Sequence, residues 1–129
     1  MSPTLGLITL AAEDWYETLD FYHELLGLEL LGSDESNGRA RLRAGPDLVL
    51  EIVSGGWGAE DPKTPQENPV SLCLRVDDLA RTVHELEHRG VWLLSEPAGG
   101  LAAIADPEGN RIYLYDTHEL PHVPDGWQL

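Results

Sequence analysis

The sequence predicts an α+β fold: two tandem βαβββ modules forming a curved mixed sheet around a cleft, with the helices on its outer side. Three observations lead there. First, residues 8–20 (ITLAAEDWYETLD) and 72–84 (LCLRVDDLARTVH) share one pattern at an offset of 64, about half of the 129-residue chain. Second, residues 39–53 match 101–115 at an offset of 62. Third, each half runs from alternating strand residues through an acidic pair and an amphipathic helix to a glycine (Gly27, Gly90) and a short apolar run. A fixed period signals two copies of one supersecondary unit, neither of which can bury its apolar face alone. Any site is then expected between the two copies. The second helix reads as one residue shorter than the first.

Taken in order, Leu5–Ala12 alternates as a half-buried strand does. Asp14 followed by Glu17 is a capping-box-like helix start. Trp15, Leu19, Tyr22, Leu25 and Leu26 then fall on one helical stripe, and Gly27 stops it. Leu28–Leu31 begins a second strand, and residues 33–38 (SDESNG) read as a polar turn. Arg39–Ala44 and Leu48–Val53 form a hairpin around Gly45-Pro46-Asp47. Module one thus ends near residue 54. Residues 55–69, rich in Gly, Pro and polar groups, form the linker, a length at which loops are often functional. Module two, residues 70–115, follows as strand 70–76, helix 78–89 and strands 91–94, 101–105 and 110–115. In the last turn Pro107 presets a corner and Gly109 is free to take positive φ. The tail 116–129 is polar but ends in Trp127 and Leu129, which suits docking on a subunit surface.

At this length one domain buries a real core. The single cysteine, Cys73, rules out an internal disulfide framework and suits a reducing, cytoplasmic compartment. No leader pattern opens the chain, and no apolar run is long enough to span a bilayer. Eight Lys and Arg against 23 Asp and Glu give a net charge of −15, which repels phosphate backbones and anionic lipid. Neither nucleic acid nor membrane is an expected partner.

Several short motifs, in order and on top of the duplication, carry a resemblance. Phe21-Tyr22 with Leu25-Leu26-Gly27-Leu28, Val76-Asp77-Asp78-Leu79 and Asp106-Pro107-Glu108-Gly109-Asn110 are similar to motifs of the vicinal oxygen chelate superfamily, which includes glyoxalase I, extradiol dioxygenases and bleomycin-resistance proteins. The resemblance covers residues 5–115. It implies a metal site on the first and last strands of each module, and here those positions are Leu7, Glu51, Ser71 and Tyr113. Leucine has no lone pair, and neutral serine and tyrosine hydroxyls are poor ligands for divalent transition metals. One carboxylate does not hold a catalytic ion, so neither a metal nor another cofactor is expected. A divalent ion on unusual ligands stays open as an alternative, with His118 and His122 of the tail folding toward Glu51. His23, His84 and His88 read as surface histidines.

Strand alternation then fixes what lines the concave side. If Glu51 faces it, so do Val49 and Val53, with Leu7, Thr9 and Ala11, Ser71, Cys73 and Arg75, and Arg111, Tyr113 and Tyr115. Arg39, Arg41 and Arg43 join them, so up to five basic side chains gather on one surface of a very acidic protein. Arginine suits bidentate recognition of carboxylate or phosphate and stacking on aromatic faces. The ligand-binding set is Arg41, Trp57, Arg75, Arg111, Tyr113 and Tyr115. The competing reading has the arginines pairing with acidic groups at a rim or dimer interface. Trp57 is either a lid over a planar ligand or a plug for a partner subunit. Glu51 is either a general base or a salt-bridge partner, and Cys73 is a packed small side chain. The expected function is metal-independent sequestration of an aromatic or anionic small molecule, such as an antibiotic, by a homodimer. The alternatives are a lyase, isomerase or dioxygenase using Glu51 as base or metal ligand, and a purely structural subunit.

Overall fold

A computed structural model describes residues 2–118 and Leu120. The described chain divides into two compact units: residues 2–62 with Pro107–Gly109, and Lys63–Asp106 with residues 110–118 and 120. The first holds β1 (Leu7–Ala12), α1 (Trp15–Asp20), a π-helical turn (Phe21–Leu25), β2 (Glu29–Asp34), a 3-10 turn (Glu35–Asn37), β3 (Arg39–Arg43) and β4 (Val49–Ser54). The second holds β5 (Leu72–Arg75), α2 (Leu79–His88), β6 (Trp92–Ala98), β7 (Leu101–Ala105) and β8 (Arg111–Tyr115). Each unit is one mixed four-stranded sheet, ordered β1-β4-β3-β2 and β5-β8-β7-β6. In each, the first and last strands pair in parallel and the others are antiparallel. These are the two βαβββ modules of an α+β fold. No helix among the described residues is long and apolar enough to cross a membrane.

The repeat holds to the level of register. Thr9 faces Glu51 and Cys73 faces Tyr113, which are the same pair moved by 64 and 62 positions. Arg41 faces Glu51 as Ala103 faces Tyr113. Even the irregularity is copied, since the ladder slips between Leu30 and Gly32 and again between Leu93 and Ser95. Such bulges insert one residue and sharpen the local twist.

The extra residue of the first helix has a structural address. The Val91 N–H closes the end of α2 on the Leu86 carbonyl, five positions back, while the Leu28 N–H reaches the Tyr22 carbonyl, six positions back. The added residue is absorbed as the π turn, whose Leu26 N–H donates to the Phe21 carbonyl at 2.9 Å. A π turn is how a helix accepts one residue without losing its face. Gly27 (φ +79°) and Gly90 (φ +86°) then supply the left-handed stop.

Beyond shifts of one or two residues at strand ends such as those of β1, β3 and β4, strand boundaries differ from the pattern reading at three places. β2 runs to Asp34, into the stretch 33–38 read as a polar turn, and only residues 35–37 turn. It is an edge strand whose six residues are all exposed, so it carries no apolar alternation to read. β6 continues to Ala98, through Pro97, which an edge strand tolerates because no partner needs its missing N–H. β5 shrinks to four residues, leaving Ser71 just before the strand. Of the tail, only residues 116–118 and 120 are described, with His118 exposed; His122, Trp127 and Leu129 lie outside the described residues.

In the first unit the core is Ala12, Trp15, Phe21, Tyr22, Ala40, Leu42, Leu50 and Ile52. The second buries Leu79, Val83, Leu86, Ala102, Ala103, Ile104, Ala105, Ile112 and Leu114. The helix therefore covers the even-numbered face of β3, β4, β7 and β8. The opposite, odd-numbered face carries Glu51 and the arginines of β3 in the first unit, and in the second the tyrosines of β8 beside Ala103 and Ala105, which are buried as well.

Candidate functional site

In the first unit the register stacks Thr9, Glu51, Arg41 and Gly32 in one row across four strands. Glu51 is only 5% exposed. Its Oε2 accepts from Arg41 Nε at 2.8 Å and from Arg39 Nη2 at 3.1 Å, two cations that are themselves half exposed. The third arginine, Arg43, turns outward to Glu29 at 2.9 Å. A cavity of about 340 Å³ lies over this row, walled by Leu31, Ser33, Asp34, Arg39, Arg41 and Glu51. Glycine opposite Arg41 leaves that room, because it projects nothing from the bulged edge strand.

The Arg41 hydrogen bond first, and Arg39 after it, hold the Glu51 carboxyl below its ordinary value against the opposing pull of desolvation. A general base needs the reverse shift, because burial without a cation is what raises a carboxylate toward neutrality. The pH consequence has a definite sign. A carboxylate depressed on folding contributes stability that is complete above its unfolded value of 4.5 and lost as pH falls through its lower folded value. The Tm gap between wild type and Glu51→Gln should therefore be constant from about pH 7 to 5 and close below about pH 4. A Tm gap that stays as wide below about pH 4 as at pH 7 would contradict the pairing.

In the second unit Arg111 lies over the Tyr113 ring, 5.9 Å from its centroid, a cation–π distance. Tyr113 and Tyr115 sit on the odd face of β8, opposite Cys73 and Arg75. Arg75 is already engaged: its Nε donates to the Thr117 carbonyl at 3.2 Å and its Nη1 stands 3.7 Å from Asp77. Cys73 is exposed and not the packed side chain the sequence suggested, because it lies on the odd face of β5. Local desolvation still pushes its thiol above the ordinary value, which disfavours the reactive thiolate. A second cavity, about 230 Å³, includes Lys63, Asn68, Ser71, Arg111 and Tyr113. Lys63 and Asn68 were not in the sequence-derived set, because nothing in a linker's composition says which of its side chains return to a strand. Trp57, in the first unit, is 89% exposed.

The residues do not fit the metal site that the resemblance implies. Leu7 and Tyr113 offer no competent ligand, and the Glu51 oxygen Oε2 is shared by two guanidinium groups. Among the described residues no three His, Cys, Asp or Glu side chains form a group able to hold an ion. His23 Nδ1 is 2.7 Å from the Leu28 carbonyl at the helix end, and His84 and His88 are exposed on α2.

A family model for a glyoxalase-like domain matches residues 7–115. Among solved structures, a glyoxalase/dioxygenase from Nostoc punctiforme has TM-score 0.74 and 21% identity, covering 90% of this chain and 92% of that one. The antibiotic-binding protein TnmS3 from Streptomyces sp. CB03234 has TM-score 0.65 and 26% identity, covering 94% and 98%. A trypanothione-dependent glyoxalase I from Leishmania major has TM-score 0.68 and 21% identity, covering 89% and 87%. A 1D-myo-inositol 2-acetamido-2-deoxy-alpha-D-glucopyranoside deacetylase of Saccharopolyspora erythraea is 36% identical over 78 residues, 60% of this chain but only 24% of that protein.

Proposed function

Because the chain belongs to the glyoxalase-like family of the vicinal oxygen chelate superfamily, we propose that it is a metal-independent binding protein that sequesters an aromatic or anionic small molecule. One observation carries this reading: Glu51 is committed to Arg41 and Arg39 and held ionised. A carboxylate so neutralised is a weak base and a poor metal ligand, which removes the support for chemistry at this position. What the pairing leaves in the first unit is a binding surface. Arg41 gives Glu51 only its Nε and Arg39 only one terminal nitrogen, so each retains N–H donors for a ligand. Within the second unit, separately, Arg111 over Tyr113 offers a charged and flat contact with Tyr115 on the same strand face, and in the first unit Trp57 offers an exposed aromatic face. Arg75, tied to Thr117 and Asp77, contributes least. The antibiotic-binding relative at 26% identity supports sequestration over turnover. A cytoplasmic homodimer is part of the same proposal.

A thermal-shift panel of aromatic carboxylates and aromatic antibiotics tests it, since a ligand that binds only the native state raises Tm. Arg41→Ala should weaken a responsive ligand about ten- to a hundred-fold, the worth of one hydrogen bond to a charged group. Turnover of a carbonyl substrate, lost in Glu51→Gln, would favour the enzymatic alternative and overturn the proposal.

A further inference from the structure

Within the second unit, the 230 Å³ cavity differs from the rest of this acidic protein in what it lacks. Its lining has two cations, Lys63 and Arg111, four hydroxyl or amide side chains, Thr64, Asn68, Ser71 and Tyr113, and two prolines. None is acidic, in a chain with 23 Asp and Glu. Elsewhere the arginines are mostly neutralised: Arg39 and Arg41 by Glu51, Arg43 by Glu29, Arg75 by Asp77 and Arg81 by Glu85. Among the described residues neither Lys63 nor Arg111 stands within ion-pair distance of a carboxylate.

Both cations are held in place by neutral partners. The Asp106 carboxylate accepts from the Asn110 N–H at 2.8 Å and from its side-chain amide at 3.0 Å. That fixes the Asn110 amide with its oxygen toward Lys63, whose Nζ donates to it at 2.9 Å. Asn68 accepts from the Arg111 N–H at 2.8 Å and donates to the Val70 carbonyl at 2.6 Å. Glu67 is turned to the Thr64 N–H and hydroxyl, both at 3.0 Å, and feels Lys63 only as a weaker, longer-range charge. Lys63 keeps two of its three ammonium donors, and the Arg111 guanidinium, braced on Tyr113, keeps its fork. Two like charges lining one cavity both gain from an anion placed between them. The volume is below the roughly 300–1,000 Å³ of pockets for drug-sized ligands, which suits a head group instead of a whole molecule.

We infer that the Lys63–Arg111 cavity is an oxyanion subsite that takes the phosphate or carboxylate group of a small organic ligand. This rests on the reading of the protein as a small-molecule binder and names the end of the ligand that is recognised. The test is titration of the full chain with inorganic phosphate, phenyl phosphate and benzoate, read by Tm and by calorimetry. At least one should bind wild type, and Lys63→Met and Arg111→Met should each weaken it ten-fold or more. Lys63→Arg should restore most of the affinity. Arg81→Ala, which removes the same charge from the α2 surface, should leave it unchanged. Tighter binding of phenyl phosphate or benzoate than of phosphate identifies an organic ligand's head group, and equal binding identifies a free-ion site of the same chemistry. No binding by any of the three, or equal binding by wild type and both Met variants, would overturn the subsite. An aromatic antibiotic that binds the Met variants as tightly as wild type would overturn the subsite but leave the binding function standing. Oxyanion binding without any organic ligand would do the opposite.

Discussion

Trp15→Ala should lower stability by about 3–5 kcal/mol, the cost of deleting a large buried aromatic side chain. Trp15 is the first residue of α1 and is almost fully buried. Its ring packs edge-on against Tyr16, with centroids 5.0 Å apart, and its Nε1 donates to the Ile52 carbonyl at 3.1 Å. One side chain thus ties the start of the helix to the middle of β4, the strand that carries Glu51 on its other face. Domains of this size have about 5–15 kcal/mol in total, so the variant should be near the threshold of folding. Trp15→Phe keeps most of the ring and loses the N–H, and should cost only about 1–2 kcal/mol. Urea denaturation separates the two, and similar midpoints for Trp15→Ala and wild type would show that α1 is not anchored there.

Glu108→Ala is the second large effect, about 3 kcal/mol and about 10 °C in Tm. Glu108 is 3% exposed and its carboxylate accepts from the Glu13 N–H and, at 3.3 Å, from the Asp14 N–H. These amides sit where α1 begins, a place that favours negative charge. Asp14 caps the helix by accepting from the Glu17 N–H at 3.0 Å. In a full capping box Glu17 would return the bond to the Asp14 N–H, and here Glu108 does so instead. A Cβ at Gly58 would come within 2.9 Å of the Glu108 carboxylate, so a side chain there would press it away from these amides. Removing the carboxylate strands two amide donors. Glu108→Gln, which retains an acceptor, should lose about a third as much, and a Tm within 2 °C of wild type for Glu108→Ala would contradict the role.

The Glu108 contact also marks where reading the sequence stops. The motif 106–110 was legible as a tight turn with Pro107 and Gly109 at its corners. That Glu108 would complete a helix cap some 94 residues earlier in the chain was not, because local patterns carry no long-range partner. The repeat was the opposite case. Offsets of 64 and 62 are visible in the letters, and they return as register in both sheets, since side-chain alternation permits only one phase once the buried residues are fixed. The same phase put Glu51 and the odd-numbered arginines of β3 on one face. It did not decide between a ligand site and an ion pair, which depends on side-chain geometry. The shorter second helix was visible too, and its physical meaning, a π turn, needed the backbone. Lys63 stayed hidden because its place depends on Asn110, far along the chain.

The most direct test of metal-independent sequestration is calorimetric titration with the aromatic carboxylate or antibiotic that raises Tm most, before and after exhaustive dialysis against EDTA, with elemental analysis of both samples. Binding through arginine and aromatic contacts predicts one site per chain, an unchanged Kd after EDTA and no stoichiometric metal in either sample. Loss of binding after EDTA, restored by one divalent ion at one equivalent, would contradict it.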